Sequence, residues 1–208
     1  KPSDDPQASS QAVRINQSES RNQQYVTSRG FAKTGMTLQM SILSQMTEVT
    51  TQIDTTIIQA SNQGALSDKD RTSLAEQLTG LKEQLVGLGN TTDGNGRYIF
   101  AGFKSDKAPF EIDTNGEVLY KGGDKPIMQN VASDREMTTY FTGAQVFETD
   151  GAGMVNVFKA LNVGIKALSI PQQDAPQSDL DAAQAGMDEA NRGIKAALDQ
   201  ISNIEAKQ

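Results

Sequence analysis

The chain contains no cysteine and no histidine. That removes thiol nucleophiles, imidazole bases, disulfide bonds and zinc sites of the usual kind. The missing cysteine names no compartment, but it suits a chain that crosses between compartments without forming wrong disulfides. Apolar side chains are scarce, at 36% of 208 residues, against roughly 45–50% in globular chains by a count that includes glycine. This argues against a thick single core and for elongated packing between helices. Cations are the minority charge, 19 Lys and Arg against 26 Asp and Glu, so the net charge is −7. Neither nucleic acid nor an anionic membrane surface fits as the main partner, since both need a basic face. No apolar run reaches the ~20 residues of a membrane helix. The best stretch, Met154 to Leu168, is interrupted by Lys159 and Lys166. No secretory signal is visible. The chain opens on Lys1, and its final stripe stays apolar to the end, so it reads as a fragment lacking both termini.

Aromatic residues are concentrated in the middle: eight of the eleven Phe and Tyr fall between Tyr98 and Phe147, the others being Tyr25, Phe31 and Phe158. The pattern is a strand-rich insert between two helical flanks. After a turn-rich start, Pro2-Ser3-Asp4-Asp5-Pro6, a polar helical stretch runs from about Ser9 to Asn62. Its second half has a seam of Leu38, Ile42, Met46, Val49, Ile53, Ile57 and Ala60, stepping by four and three residues. Gly30 and Gly35 are its weak points, each costing roughly 1 kcal/mol relative to alanine. Gln63-Gly64-Ala65 should end it. Ser67 with Asp70 is a capping-box pattern that opens a second helix. Leu74, Leu78, Leu81, Leu85 and Leu88 follow in coiled-coil-like register, stopped at Gly89-Asn90.

Between residues 93 and 147 the period changes. Arg97–Ala101 reads as a strand after the Asp93-Gly94-Asn95-Gly96 turn. Phe110–Ile112 and Glu117–Tyr120 flank Asn115-Gly116, a hairpin signal. Ile127–Val131, Met137–Phe141 and Gln145–Phe147 are further strand candidates. An insert of this size is marginal alone and should lean on the helices. Helical spacing returns with Met154, Phe158, Leu161, Ile165 and Leu168. Pro171 and Pro176 mark a loop. Ser178 with Asp181 repeats the capping pattern before a last helix carrying Leu180, Ala183, Met187, Ala190, Ile194, Ala197, Ile201 and Ile204. Its alanines would let partner helices approach closely. The expected fold is mainly α with a β insert: an elongated antiparallel bundle from residues 1–92 and 150–208, and a β-rich domain at 93–149. No stripe is stable in water alone, so each must bury against the others. Periodicity by itself leaves open an ordinary monomeric bundle.

No constellation for catalysis stands out. Asp4 and Asp5 point apart in extended chain, and no Gly-x-Ser-x-Gly elbow or phosphate loop is present. Asp93-Gly94-Asn95-Gly96 resembles a calcium loop only at its start, without the ligands or final glutamate of an EF-hand, and Asp113, Asn115 and Glu117 read better as a hairpin turn. The sequons at Asn16 and Asn90 read as chance matches. The methionines at 36, 40, 46, 154 and 187 read as core filler. No enzyme activity, cofactor or metal is expected.

Four segments carry a family resemblance: Lys1–Pro6, Asn90–Gly102, Thr142–Phe147 and Ala190-Asn191-Arg192-Gly193. Spread in order along the chain, they resemble the flagellar hook-associated protein 3 family. The motif positions are Pro2, Asp4, Asp5 and Pro6, then Asp93, Gly94, Gly96, Tyr98, Phe100 and Gly102. The resemblance implies a flagellin-like outer helical domain with a small β domain, at the hook–filament junction outside the cell. It also implies unfolded export through the flagellar type III apparatus with a chaperone, assembly as a ring, and contact with hook-associated protein 1 and flagellin. The inner coiled-coil layer of the tube would lie outside this chain, which by itself should be mostly monomeric. Two alternatives remain open: a flagellin filament subunit, and a surface-binding module carried on the β insert.

Overall fold

A computed structural model describes residues 6–61, 66–148 and 154–207. Pro2, Asp4, Asp5 and the expected helix stop at Gln63-Gly64-Ala65 lie outside the described residues. Helix α1 spans Pro6–Ser61, 56 residues or about 84 Å at 1.5 Å per residue. Proline suits its first position, where a backbone N–H would have no partner. The helix runs unbroken through Gly30 and Gly35, and the second glycine has a packing reason. A Cβ at Gly35 would sit 2.6 Å from the Thr139 methyl carbon, so only glycine lets a strand lie this close to the helix.

Helix α2 (Asp68–Gly89) begins with the complete capping box: the Asp70 amide donates to the Ser67 hydroxyl at 3.2 Å, and the Ser67 amide donates to the Asp70 carboxylate at 3.1 Å. The Ser67 hydroxyl, donating to the Asp70 carboxylate at 2.7 Å, and then the Ser67 amide hold that carboxyl below its usual pKa range. Helices α4 (Asn156–Leu168) and α5 (Gln177–Glu205) complete the bundle. Met154 lies just before α4 and bridges to Leu119 instead. The direction of packing follows from specific contacts. Gly193, Gly164 and Gly186 meet Ala160, Ala190 and Ala167 in turn, so α4 and α5 are antiparallel. Arg71 reaches Ala167 and Lys82 reaches Asn162, so α2 and α4 are antiparallel too. Helix α5 also packs on α1, with Glu205 accepting a hydrogen bond from Thr47 at 3.4 Å.

The expected cap at Ser178 does not form. Gln177 is already helical, the cap position is Pro176 without a side-chain bond, and Ser178 bonds to Asp179 inside the first turn. Asp181 is engaged by Gln177.

Two antiparallel ribbons make up the β structure: β1 (Phe110–Ile112) with β2 (Val118–Tyr120), and β3 (Ile127–Ala132) with β4 (Arg135–Tyr140). The first turns at Asn115-Gly116, where Gly116 has φ +79° and the Asp113 carboxylate accepts the Asn115 and Glu117 amides at 2.8 Å. Arg97–Ala101 is not a strand. Tyr98 pairs in one isolated bridge with Thr92, and the chain then turns, the Ala101 amide bonding back to Tyr98. Ile99 and Phe100 are both fully buried, which successive residues of a one-faced strand cannot be. Gln145–Phe147 is also not a strand but the end of a short helix, α3 (Gly143–Phe147). Thr142 and Gln145 form a capping box there, and that local bond set outweighs the β-type composition.

One hydrophobic core joins the four long helices to α3, the Ile99–Phe100 turn, Phe110 of β1 and Val118 of β2. Ile42, Met46, Val49, Ile53, Leu74, Leu78, Leu81, Leu85, Phe158, Leu161, Met187, Ile194 and Ile201 are all buried in it. Ile165 and Leu180 are half-buried, Ile165 against the core's edge. Met40 is exposed rather than core.

Candidate assembly surface and the node behind it

The apolar stripes are consumed internally, so any contact with other molecules must come from the outward faces and from the parts that hold them in position. The rigid part is an aromatic node at one end of the bundle. Phe110 on β1 stacks edge-on to Phe147 of α3 at 5.7 Å and to Phe158 of α4 at 6.2 Å, with Tyr120 of β2 at 5.4 Å. Backbones close tightly around these rings. A Cβ at Gly143 would lie 2.4 Å from Phe110 and one at Gly89 2.6 Å from it, so both positions exclude a side chain. The Tyr120 hydroxyl lies 2.9 Å from the Phe100 carbonyl and 2.7 Å from that of Gly123, and can donate to either. Burial pushes its pKa up to about 12, so it remains a neutral donor.

Of the motif residues, Phe100 is tied into this node, and the Asp93–Gly96 loop precedes it in the chain. The Asp93 carboxylate accepts the amides of Asn95 at 2.8 Å and Arg97 at 3.0 Å, folding the loop on itself. Gly96 at φ +76° and Gly102 at φ +58° take left-handed backbone, and at Gly102 a Cβ would also strike the Lys125 carbonyl. Gly94 is in open space. Tyr98 is half-buried and Phe100 fully buried. The Phe100 carbonyl accepts the Gly143 amide at 2.8 Å, which joins the two central motif segments directly. Gln200 of α5 donates to the Gln145 carbonyl at 2.7 Å and ties the node to the last helix. Pro6 opens α1, far from this junction in sequence.

A polar clamp that the sequence reading missed holds the β1–β2 turn. The Lys82 ammonium, 7% exposed, donates to the Asn162 side chain at 2.9 Å and the Gly116 carbonyl at 3.1 Å. Asn162 donates in turn to Gly116 at 3.0 Å and to Glu117 at 2.8 Å. Burial lowers the Lys82 pKa, and the nearby Glu117 carboxylate opposes that shift. Lys82→Met leaves these acceptors short of a donor. It is expected to cost about 1–3 kcal/mol and to speed hydrogen exchange at Glu117, whose amide closes the turn; unchanged exchange would show that the clamp is idle.

Outward, the first half of α1 stands apart. Residues 7–31 are nearly all exposed, including Val13 at 55%, Val26 at 60% and Phe31 at 67%. The β3–β4 ribbon covers only one side, from Tyr25, which reaches Ser133, to Gln39. Gln39 exchanges two hydrogen bonds with the Phe141 backbone, at 2.8 and 2.9 Å. The arrangement suits lateral packing between molecules. Among the described residues, no group of three His, Cys, Asp or Glu is placed to hold a metal ion, and no helix is long and apolar enough to cross a membrane.

Comparison with known proteins agrees with this layout. Residues 1–105 match the bacterial flagellin N-terminal helical region. Flagellar hook-associated protein 3 of Escherichia coli K12 is 43% identical over 216 aligned positions, covering 99% of this chain and 67% of the relative. The Salmonella typhimurium protein of the same name is 42% identical with the same coverage. Hook-associated protein-3 of Legionella pneumophila superposes with a TM-score of 0.84 at 18% identity, over 94% of this chain and 90% of that one. FlgL of Xanthomonas campestris gives 0.81 at 20% identity, over 92% and 90%. At those identities the superpositions speak for the fold, while the sequence matches speak for descent. The chain therefore belongs to the flagellar hook-associated protein 3 family, structural proteins of the bacterial flagellum.

Proposed function

We propose that the protein is a structural adaptor at the hook–filament junction, joining the hook, through hook-associated protein 1, to the first flagellin subunits. The observation that carries this reading is mechanical. One helix of about 84 Å is braced along half its length by two antiparallel helices, α2 and α5, while residues 7–31 of its other half are nearly all exposed. Residues 1–92 and 150–208 form the strut, and residues 93–149 form the insert that closes one end of it. The full-length protein, exported with a chaperone through the flagellar type III apparatus, assembles as a ring. A hook must bend while a filament must stay stiff, and a subunit between them resists torque by packing alone. A ring of identical subunits needs head-to-tail contacts, in which one face meets a different face.

Electron microscopy of a strain deleted for the gene tests this. Hooks without filaments, with flagellin shed into the medium and attachment restored by the full-length gene, are expected. Filaments that stay attached in the deletion strain would sink the proposal. A flagellin subunit gives a different picture, because its loss leaves capped hooks and no shed monomer. The surface-binding alternative cannot be tested by excising residues 97–147, because Phe110 and Phe147 belong to the core. Polar replacement of the exposed Met128 on β3 is the cleaner probe.

A further inference from the structure

We infer that Lys82 and Asn162 react with each other to form an amide bond that staples α2 to α4, Glu117 relaying the proton and ammonia leaving. The step depends only on the folded chain and not on what the chain assembles with. An amine, a carboxamide and a carboxylate meet where α2, α4 and the β1–β2 turn converge. Lys82 and Asn162 are each 7% exposed. The Lys82 Nζ lies 2.9 Å from the Asn162 Oδ1, with the electrophilic Cγ one bond beyond. The Asn162 Nδ2 donates to the Gly116 carbonyl at 3.0 Å and to the Glu117 Oε2 at 2.8 Å. Two acceptors around one end of the carboxamide fix that end as nitrogen, so its oxygen faces Lys82. Lys166 lies 3.4 Å from the other Glu117 oxygen, Oε1, which leaves Oε2 on the nitrogen that departs.

In water a lysine does not attack an asparagine, because the amine is protonated and the two groups meet only in passing. Both obstacles are reduced at this site. Helix α2 carries Lys82 on its buried face, in line with Leu78 and Leu85. Burial lowers the Lys82 pKa, against the Glu117 and Glu83 carboxylates, which favour the charged form. A desolvated amine of this kind is the nucleophilic state of lysine. Two packed helices hold the partners together, and the shift from Oδ1 to Cγ brings Nζ to the roughly 3–3.5 Å of a near-attack arrangement.

Lys82 first gives one proton to solvent. Its Nζ lone pair then forms the bond to the Asn162 Cγ, and the carbonyl π pair moves onto Oδ1. Glu117 takes a second proton from Nζ and passes it to Nδ2, the atom it already faces. The pair on Oδ1 re-forms the C=O bond as the Cγ–Nδ2 bond breaks, and ammonia departs. Amine and carboxamide thus become amide and ammonia, with nothing oxidised or reduced. The new amide keeps one N–H on Nζ, and the Gly116 carbonyl, 3.1 Å away, is placed to accept it. The bond links residues 80 positions apart, so it ties the second helix to the fourth at mid-length.

The test is mass spectrometry of the full-length protein purified from cells. The intact mass is expected to fall one ammonia below that of the sequence. After denaturation, trypsin should leave Lys82 uncut and release residues 72–97 and 160–166 as one branched peptide. Lys82→Arg keeps the positive charge but not the amine, and it should show the full mass, as should Asn162→Ala. Glu117→Gln keeps an acceptor for Asn162 but cannot relay the proton. It is expected to slow the loss of ammonia on the order of a hundredfold in pulse-labelled cells. Far-UV circular dichroism matching the parent shows that this variant folds. The full sequence mass with cleavage at Lys82 in the parent protein would overturn the inference. So would ammonia loss mapped instead to Asn95 or Asn115, each followed by a glycine, or an equal rate in Glu117→Gln.

Discussion

Phe158→Ala is expected to cost about 3–5 kcal/mol of unfolding free energy, the range for truncating a fully buried phenylalanine. In a chain of this length the midpoint of thermal unfolding should fall by on the order of 10 °C. The ring has no exposed surface and lies 5.7 Å from Phe147 and 6.2 Å from Phe110. Its loss opens a cavity bounded by α3, α4 and β1, and the tight glycine contacts around Phe110 limit how far the walls can collapse into it. The control is Phe103→Ala. That ring is 71% exposed, and removing it should change stability by no more than about 0.5 kcal/mol. Calorimetry on both variants decides the matter. Equal losses would mean that the node is not where this end of the bundle is held.

The second large effect is steric. A Cβ at Gly193 would lie 2.3 Å from the Ala160 Cβ, nearer than real side chains approach. Gly193→Val is expected to cost about 2–3 kcal/mol by forcing α4 and α5 apart. Gly193→Ala should also destabilise, although alanine favours a helix by roughly 1 kcal/mol over glycine. Adding Ala160→Gly moves the notch to the other helix without changing the total propensity. The double variant is expected to return to within about 0.5 kcal/mol of the parent, as measured by urea denaturation. Additive losses in the double variant would show that the two helices do not meet at these residues.

The helices were legible because burial repeats at their period. Ile42 through Ile57, Leu74 through Leu85 and Met187 through Ile204 are stripes at three- and four-residue steps, and the core follows them. In the β region the Asn115-Gly116 turn announced one hairpin, and the strands expected at Ile127–Val131 and Met137–Phe141 are present as β3 and β4 with bounds shifted by one or two residues. Arg97–Ala101 misled because apolar composition says nothing of which way successive side chains point. Gln145–Phe147 misled although its signal was present: Thr142 and Gln145 stand at capping-box spacing before a short apolar run. The glycine contacts left a trace too. Gly186 and Gly193 are seven residues apart, as are the facing Ala160 and Ala167. The Lys82–Asn162–Gly116 clamp left none, because it joins segments whose proximity only the fold creates.

The hydrogen bond from Thr47 to Glu205 spans 158 positions. Its consequence is temporal. The longest helix meets α5 only when all the residues between them have been synthesised. Long-range closure of this kind is slow to nucleate, since loop entropy is spent before any contact repays it. Until α5 is present, the face of α1 that it covers has no partner from that helix, and the bundle is unfinished. The same architecture that makes a stiff finished part therefore postpones stiffness until its last helix is in place.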